Sequence, residues 1–177
     1  MKSKIISLSA ISAGLIAIVL SVGAYFEVAD LFMMVVASVF VILPLYYNSF
    51  KGSLLTYLVG GVIAFVISGF NIYSLVFPVF FSFFGVYPIV RSFFTRKRLK
   101  KHWILIIGAV WCVLVFYGAY FYYMALIGDL LAGLPDWLVN NIIYFILGVA
   151  LIFYFVFDRF TVLVQRVVYY YLNKIIK

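Results

Sequence analysis

Six long apolar runs, at positions 5–25, 31–47, 54–70, 75–94, 103–127 and 138–157, are separated by short polar connectors. Each run is close to the roughly 20 residues that an α-helix needs to cross a hydrocarbon layer about 30 Å thick. The connectors read "EVAD", "NSFKGS", "NIYS", "TRKRLKKH" and "GDLLAGLPDW". The pattern predicts an all-α, polytopic membrane protein: a six-transmembrane-helix bundle over residues 1–157. After 157 the rhythm changes. Phe160, Leu163, Val164, Val167, Val168, Tyr171, Leu172, Ile175 and Ile176 repeat at i, i+3 and i+4, with Arg159, Gln165, Arg166, Asn173, Lys174 and Lys177 on the other face. Residues 158–177 therefore predict an amphipathic, basic, cytoplasmic helical extension of span six. It would lie on the membrane surface or dock on a partner.

Composition agrees with a lipid-embedded chain. Hydrophobic residues make up 68% of the 177 positions and charged residues 10%, whereas soluble domains carry about 25% charged residues. A soluble core of this size cannot hide so much apolar side chain, so the excess must face lipid. Cys112 is the single cysteine; it offers neither a disulfide nor a paired-thiol metal site, and its apolar surroundings read as a small buried hydrophobe.

Charge tests the span count independently. Six crossings put both termini on one side, with the connectors around Lys51 and at 95–102. With their helix ends, these segments hold all 13 Lys and Arg residues. Glu27, Asp30, Asp129 and Asp136 fall on the opposite side. Cationic loops stay cytoplasmic, so the pattern predicts a multi-pass protein of the bacterial plasma membrane with both termini in the cytoplasm. The net charge of +8 is then a membrane-topology signal, not a nucleic-acid footprint. The run from Arg91 through Arg96, Lys97, Arg98 and Lys100 to Lys101 becomes a cytoplasmic connector held near anionic lipid headgroups. Lys2 and Lys4 before an apolar run, with "VGA" at 22–24, also resemble a signal peptide. The run is longer than such a segment needs, and five further spans follow.

Breaks and caps are legible too. Pro78 and Pro88 should kink or unwind span four, and Pro44 should do the same near the inner end of span two. Asp30, Ser53, Ser74 and Asp136 each precede an apolar run and are expected to cap it. Span one carries Ser9, Ala13 and Ala17 on one stripe, flanked by Ala10 and Gly14, and span three carries Gly60, Ala64 and Ser68. Small residues at this spacing allow close helix approach, within the chain or to a separate subunit.

The chemistry that is missing narrows the function. The chain contains no GxxxxGK[ST] phosphate loop, no HExxH and no CxxC, and its one histidine, His102, lies in the basic connector. No charged residue is expected near the middle of a span, which argues against proton-coupled transport and intramembrane catalysis. The pattern predicts no enzyme and no cofactor. The polar groups gather instead at the outer side. Asn71, Tyr73, Asp129, Trp137, Asn140, Asn141 and Tyr144 are the candidate ligand-binding residues, with Asn140 and Asn141 expected one turn inside span six, where apolar surroundings leave their amides seeking partners. Interfacial Tyr and Trp and helix-capping acids account for the same residues without any ligand.

With "AGLIA" at 13–17, six spans, about 180 residues and both ends inside, the chain resembles the substrate-binding S components of energy-coupling-factor transporters. "DLFMMVVASVFVILPLYYNSFKGSLLTYLVGG" and "FPVFFSFFGVYPIVR" share the family's cadence. The resemblance implies a small vitamin-like substrate bound near the outer face. It also implies a coupling transmembrane subunit met through Ala13 and Ala17, with Ser9 on the same stripe, and ATPase subunits in trans. The alternative is a small membrane scaffold of the rod-shape-determining type, with no transport activity and with the basic connector and tail as docking surfaces.

Overall fold

The computed structural model describes residues 2–127 and 135–176, and its regular structure there is entirely helical. In chain order the helices are α1 (Lys2–Tyr25), α2 (Asp30–Ile42), α3 (Phe50–Ile67), α4 (Val76–Val79), α5 (Tyr87–Arg96), α6 (Lys101–Ile127), α7 (Asp136–Asn140) and α8 (Ile142–Ile176). Six segments are long and apolar enough to cross a membrane: Ser3–Tyr25, Asp30–Tyr47, Phe50–Ile67, Val76–Arg96, Lys101–Leu126 and Ile142–Leu172. The protein is a six-span helical membrane bundle.

The small-residue rows of α1 and α3 are spent on each other. A Cβ added to Gly60 would lie 2.8 Å from the Ala13 carbonyl oxygen and from Ile16 Cβ, so only glycine permits this approach. Thr56 Oγ1 donates to the Ser9 carbonyl at 3.1 Å across the same interface. Ala13 and Ala17 are buried, so the stripe expected to meet another subunit is covered by α3 of the same chain. The core continues through Leu20, Ala37 and Val41 to an aromatic cluster of Phe80, Phe83, Phe84, Tyr154 and Phe157. Val110, Leu114, Ile152 and Val156 stay exposed, as lipid-facing positions should.

Span four is broken where its prolines require. After the short α4, residues Phe80–Phe84 form a π-type turn, in which Gly85 N–H bonds the Phe80 carbonyl at 2.9 Å. Pro88 then sits in the first turn of α5, where a missing N–H costs little. Widening the turn frees the Phe81 carbonyl, which accepts the Tyr57 hydroxyl at 2.9 Å instead. The extra residue also shifts the helix phase, so Tyr87 and Arg91 face α8. Near Pro44, span two tightens into a 3₁₀ turn over Leu43–Tyr47.

Several helix starts differ from expectation. Span three begins at Phe50, and Ser49 is the cap, accepting the Gly52 N–H at 3.0 Å. Ser53 lies inside the helix and donates to the Val41 carbonyl at 2.6 Å. Asp30 is the first residue of α2, whose start has no side-chain cap bond; its charge suits the positive helix end. Ser74 accepts the Val76 N–H at 3.3 Å, but it stands one residue before the cap position of α4, Leu75, which makes no side-chain cap bond. Span six starts at Ile142, because Asn141 leaves helical geometry and its Nδ2 donates to the Trp137 carbonyl at 2.8 Å. Asparagine competes for backbone in this way. Asn140 and Asn141 therefore stand at the α7–α8 break and not one turn inside the span.

Helix α8 runs unbroken through residue 157 for 35 residues, about 52 Å at 1.5 Å per residue, well beyond a hydrocarbon layer of about 30 Å. Its far half rests on the chain's own bundle instead of lying free on a surface. Thr161 and Val164 are buried, and Tyr169 donates to the Leu45 carbonyl at 3.1 Å. That carbonyl also accepts Arg96 Nη2 at 3.3 Å and Asn48 N–H at 3.0 Å. Leu163, Val167, Tyr170 and Tyr171 remain exposed on the other side.

Candidate functional site

At the bundle end opposite the basic connector, α3 finishes with Gly69 and Phe70 at φ of +70° and +58°. This left-handed turn throws residues 71–75 across the end of the bundle. Asn71 Oδ1 accepts the Tyr73 N–H at 3.1 Å, a local turn bond. Tyr122 donates its hydroxyl to the Ile72 carbonyl and so fastens the segment to α6. Between this segment and the ends of α1, α2 and α6 lies a cavity of about 310 Å³. Asp30, Asn71, Tyr73, Ser74 and Tyr123 supply its polar wall. Ala24 and Leu75 complete the lining, and Val76 and Phe77, the next residues along, are buried in the core.

The structure thus brings together Asn71 and Tyr73 from the sequence-predicted set, and adds Tyr123, which no sequence pattern distinguished from the belt tyrosines. Trp137, Asn140, Asn141 and Tyr144 do not line this cavity. They belong to α7 and the start of α8, with Trp137 67% and Tyr144 74% exposed, as interfacial side chains are. Asp129 lies outside the described residues.

Toward the other end lies an arrangement the sequence reading missed. Asp158 is only 2% exposed. Its Oδ1 accepts Arg91 Nε at 2.6 Å and the Tyr87 hydroxyl at 2.5 Å, and Arg91 Nη2 reaches Oδ2 at 3.5 Å. Tyr87 and Tyr154 hydroxyls lie 3.2 Å apart, and Tyr154 reaches the Ile104 carbonyl at 3.5 Å. Arg91, expected with the cytoplasmic connector, is instead an inward-facing residue of α5 whose side chain is 11% exposed. A buried charge survives when it is paired and its remaining lone pairs are bonded, and here every partner comes from α5, α6 or α8. The missed signal was spacing. Tyr87 precedes Arg91 by four residues and Tyr154 precedes Asp158 by four, so each helix shows a tyrosine and a charge on one face.

Fold and site together define a multi-pass helical membrane bundle with a polar cavity at one end and a buried Arg–Asp–Tyr–Tyr network toward the other. No family model, curated protein or solved structure matches the chain.

Proposed function

We propose that this chain is the membrane-embedded substrate-capture subunit of an ATP-driven importer of a small, vitamin-like micronutrient. The observation that carries the reading is the cavity of about 310 Å³ lined by Asp30, Asn71, Tyr73, Ser74 and Tyr123, with Ala24 and Leu75 as its apolar lining. Its size falls at the lower end of the roughly 300–1,000 Å³ typical of small-molecule sites. One carboxylate among neutral hydroxyl and amide groups suits a compact polar ligand that offers donors as well as acceptors.

The remaining parts follow from what the chain lacks. Without a nucleotide-binding loop of its own, it takes its work from ATPase subunits through a coupling membrane subunit, and it performs no reaction itself. The basic end lies in the cytoplasm, so the cavity opens outward. Release follows from a shift in conformational population imposed by partner contacts. With Ala13 and Ala17 covered by α3, the coupling subunit would meet the open side of α1, where Ala10 and Gly14 are exposed.

Thermal unfolding of the purified protein against a panel of vitamins and metal ions tests this. A true ligand at 100 times its Kd adds about 2.7 kcal/mol of stability, and Tyr123→Phe should weaken that gain without altering the unliganded midpoint. If no compound raises the midpoint, and the protein copurifies with cell-wall machinery and not with ATPase subunits, the scaffold reading replaces this one.

A further inference from the structure

A second cavity, of about 320 Å³, opens at the basic end between α5, α6 and α8. Arg91, Lys101, Arg159 and Arg166 line it together with Asp158, an excess of three positive charges over negative. The Arg91–Asp158 contact is the one ion pair among the described residues, so Lys101, Arg159 and Arg166 have no carboxylate partner there. Thr95 and the apolar Leu99, Ile104, Leu105 and Val162 form the rest of the lining. Three unneutralised cations facing one concavity with apolar walls repel one another, and the low-dielectric walls concentrate their field.

We propose that this cavity binds a phosphate group. The cations come from three helices and converge. Arg159 and Arg166 are seven residues apart on α8, about two turns, and so share a face. Lys101 is the first residue of α6, which brings the positive end of a 27-residue helix to the rim. Arg91 is held in place by Asp158 at 2.6 Å, and Asp158 in turn by Tyr87, so one wall of the site is preorganised. A phosphate presents several acceptor oxygens that arginine forks meet from more than one side, which a single carboxylate cannot do. The group could belong to the headgroup of an anionic phospholipid, with its glycerol and acyl carbons against the apolar lining, or to a free phosphate or diphosphate. The site shares Lys101 with the run at 95–102 but draws Arg91 from α5 and Arg159 and Arg166 from α8, and it does not depend on the capture reading.

The test compares two charge-matched double variants of the full-length protein. R159Q/R166Q removes two cations from the cavity; R98Q/K100Q removes two from the connector outside it. Binding is measured in one arm with delipidated protein reconstituted into phosphatidylglycerol or phosphatidylcholine nanodiscs, followed by native mass spectrometry of retained lipid. In the other arm, inorganic phosphate and pyrophosphate are titrated calorimetrically. R159Q/R166Q is expected to lose at least about tenfold in affinity, as the loss of charge-assisted hydrogen bonds requires, with R98Q/K100Q within about twofold of wild type. Loss confined to the phosphatidylglycerol arm assigns a lipid headgroup; loss in the calorimetric arm assigns a soluble phosphate. Equal loss in both variants, or none in either, overturns the proposal, since the cations would then act only as a diffuse basic surface.

Discussion

Breaking the Arg91–Asp158 pair gives the sharpest test of the buried network. Asp158 and Arg91 side chains are 3% and 11% exposed, with Nε and Oδ1 2.6 Å apart, so solvent screens them little. Two unit charges about 4 Å apart at an effective dielectric near 20 attract by roughly 4 kcal/mol, and desolvating both ions offsets much of that. The net value of the pair is therefore modest, but either half alone is costly. Asp158→Asn leaves a guanidinium beside three other cations, and Arg91→Gln leaves a carboxylate against two tyrosines. Each single variant should lose about 3–5 kcal/mol. The double variant R91Q/D158N, with no orphaned charge, should recover about 2–3 kcal/mol of the summed loss. Tyr87→Phe removes one bond to the carboxylate and should cost about 1.5–3 kcal/mol.

Equilibrium unfolding in mixed micelles, with tryptophan fluorescence as the signal, measures all four variants on one scale. The magnitude of the coupling matters more than any single loss. If the singles and the double add to within about 0.5 kcal/mol, the two charges do not sense one another. The network would then be a crowded geometry and not an energetic unit.

Two further outcomes follow from the packing and the topology. Gly60→Ala forces a Cβ within 2.8 Å of the Ala13 carbonyl and should cost about 1–3 kcal/mol, whereas Gly118, with nothing within 4 Å, should gain up to about 1 kcal/mol as alanine in the same unfolding measurement. Cys112 is fully buried and should resist an impermeant maleimide in intact cells. Tyr73→Cys should label from outside, and Lys97→Cys only after permeabilisation; the reverse pattern would invert the bundle.

The span pattern was legible because lipid and water impose opposite demands on long runs of side chains, and proline chemistry marked the break in span four. Less of the site could be read. Asn71 and Tyr73 lie on a connector whose polarity marks it as solvated, but Tyr123 faces the cavity only because of the rotation of α6, which no local pattern encodes in a helix apolar on all sides. Ser9, Ala13 and Ala17 were recognised as a close-approach surface; which helix fills it depends on the matching row in α3, and sequence spacing does not choose between an internal and an external partner. Asp158 escaped notice because it sits at the apparent end of span six. A charge at a helix end is usually solvated, and only the continuation of α8 past it turns that position into an interior one.

That continuation relates the two ends of the molecule. Asn71, Tyr73, Ser74 and Leu75 wall the cavity opposite the basic connector and lead directly into α4; the Phe80–Phe84 turn then sets the phase that delivers Tyr87 and Arg91 to Asp158. A shift of α4 toward a ligand can reach the basic cavity along span four only through this turn, which Tyr57 holds by its bond to the Phe81 carbonyl. Gly85 permits the contact: a Cβ there would overlap the Tyr57 ring. The turn is thus clamped on one side by hydrogen bonding and on the other by steric fit, and Arg91 is fixed by its carboxylate. A ligand in the cavity opposite the basic connector that moved α4 would have to supply enough differential binding energy to disturb these contacts. A ligand that fits the cavity as it stands would leave the basic end unchanged.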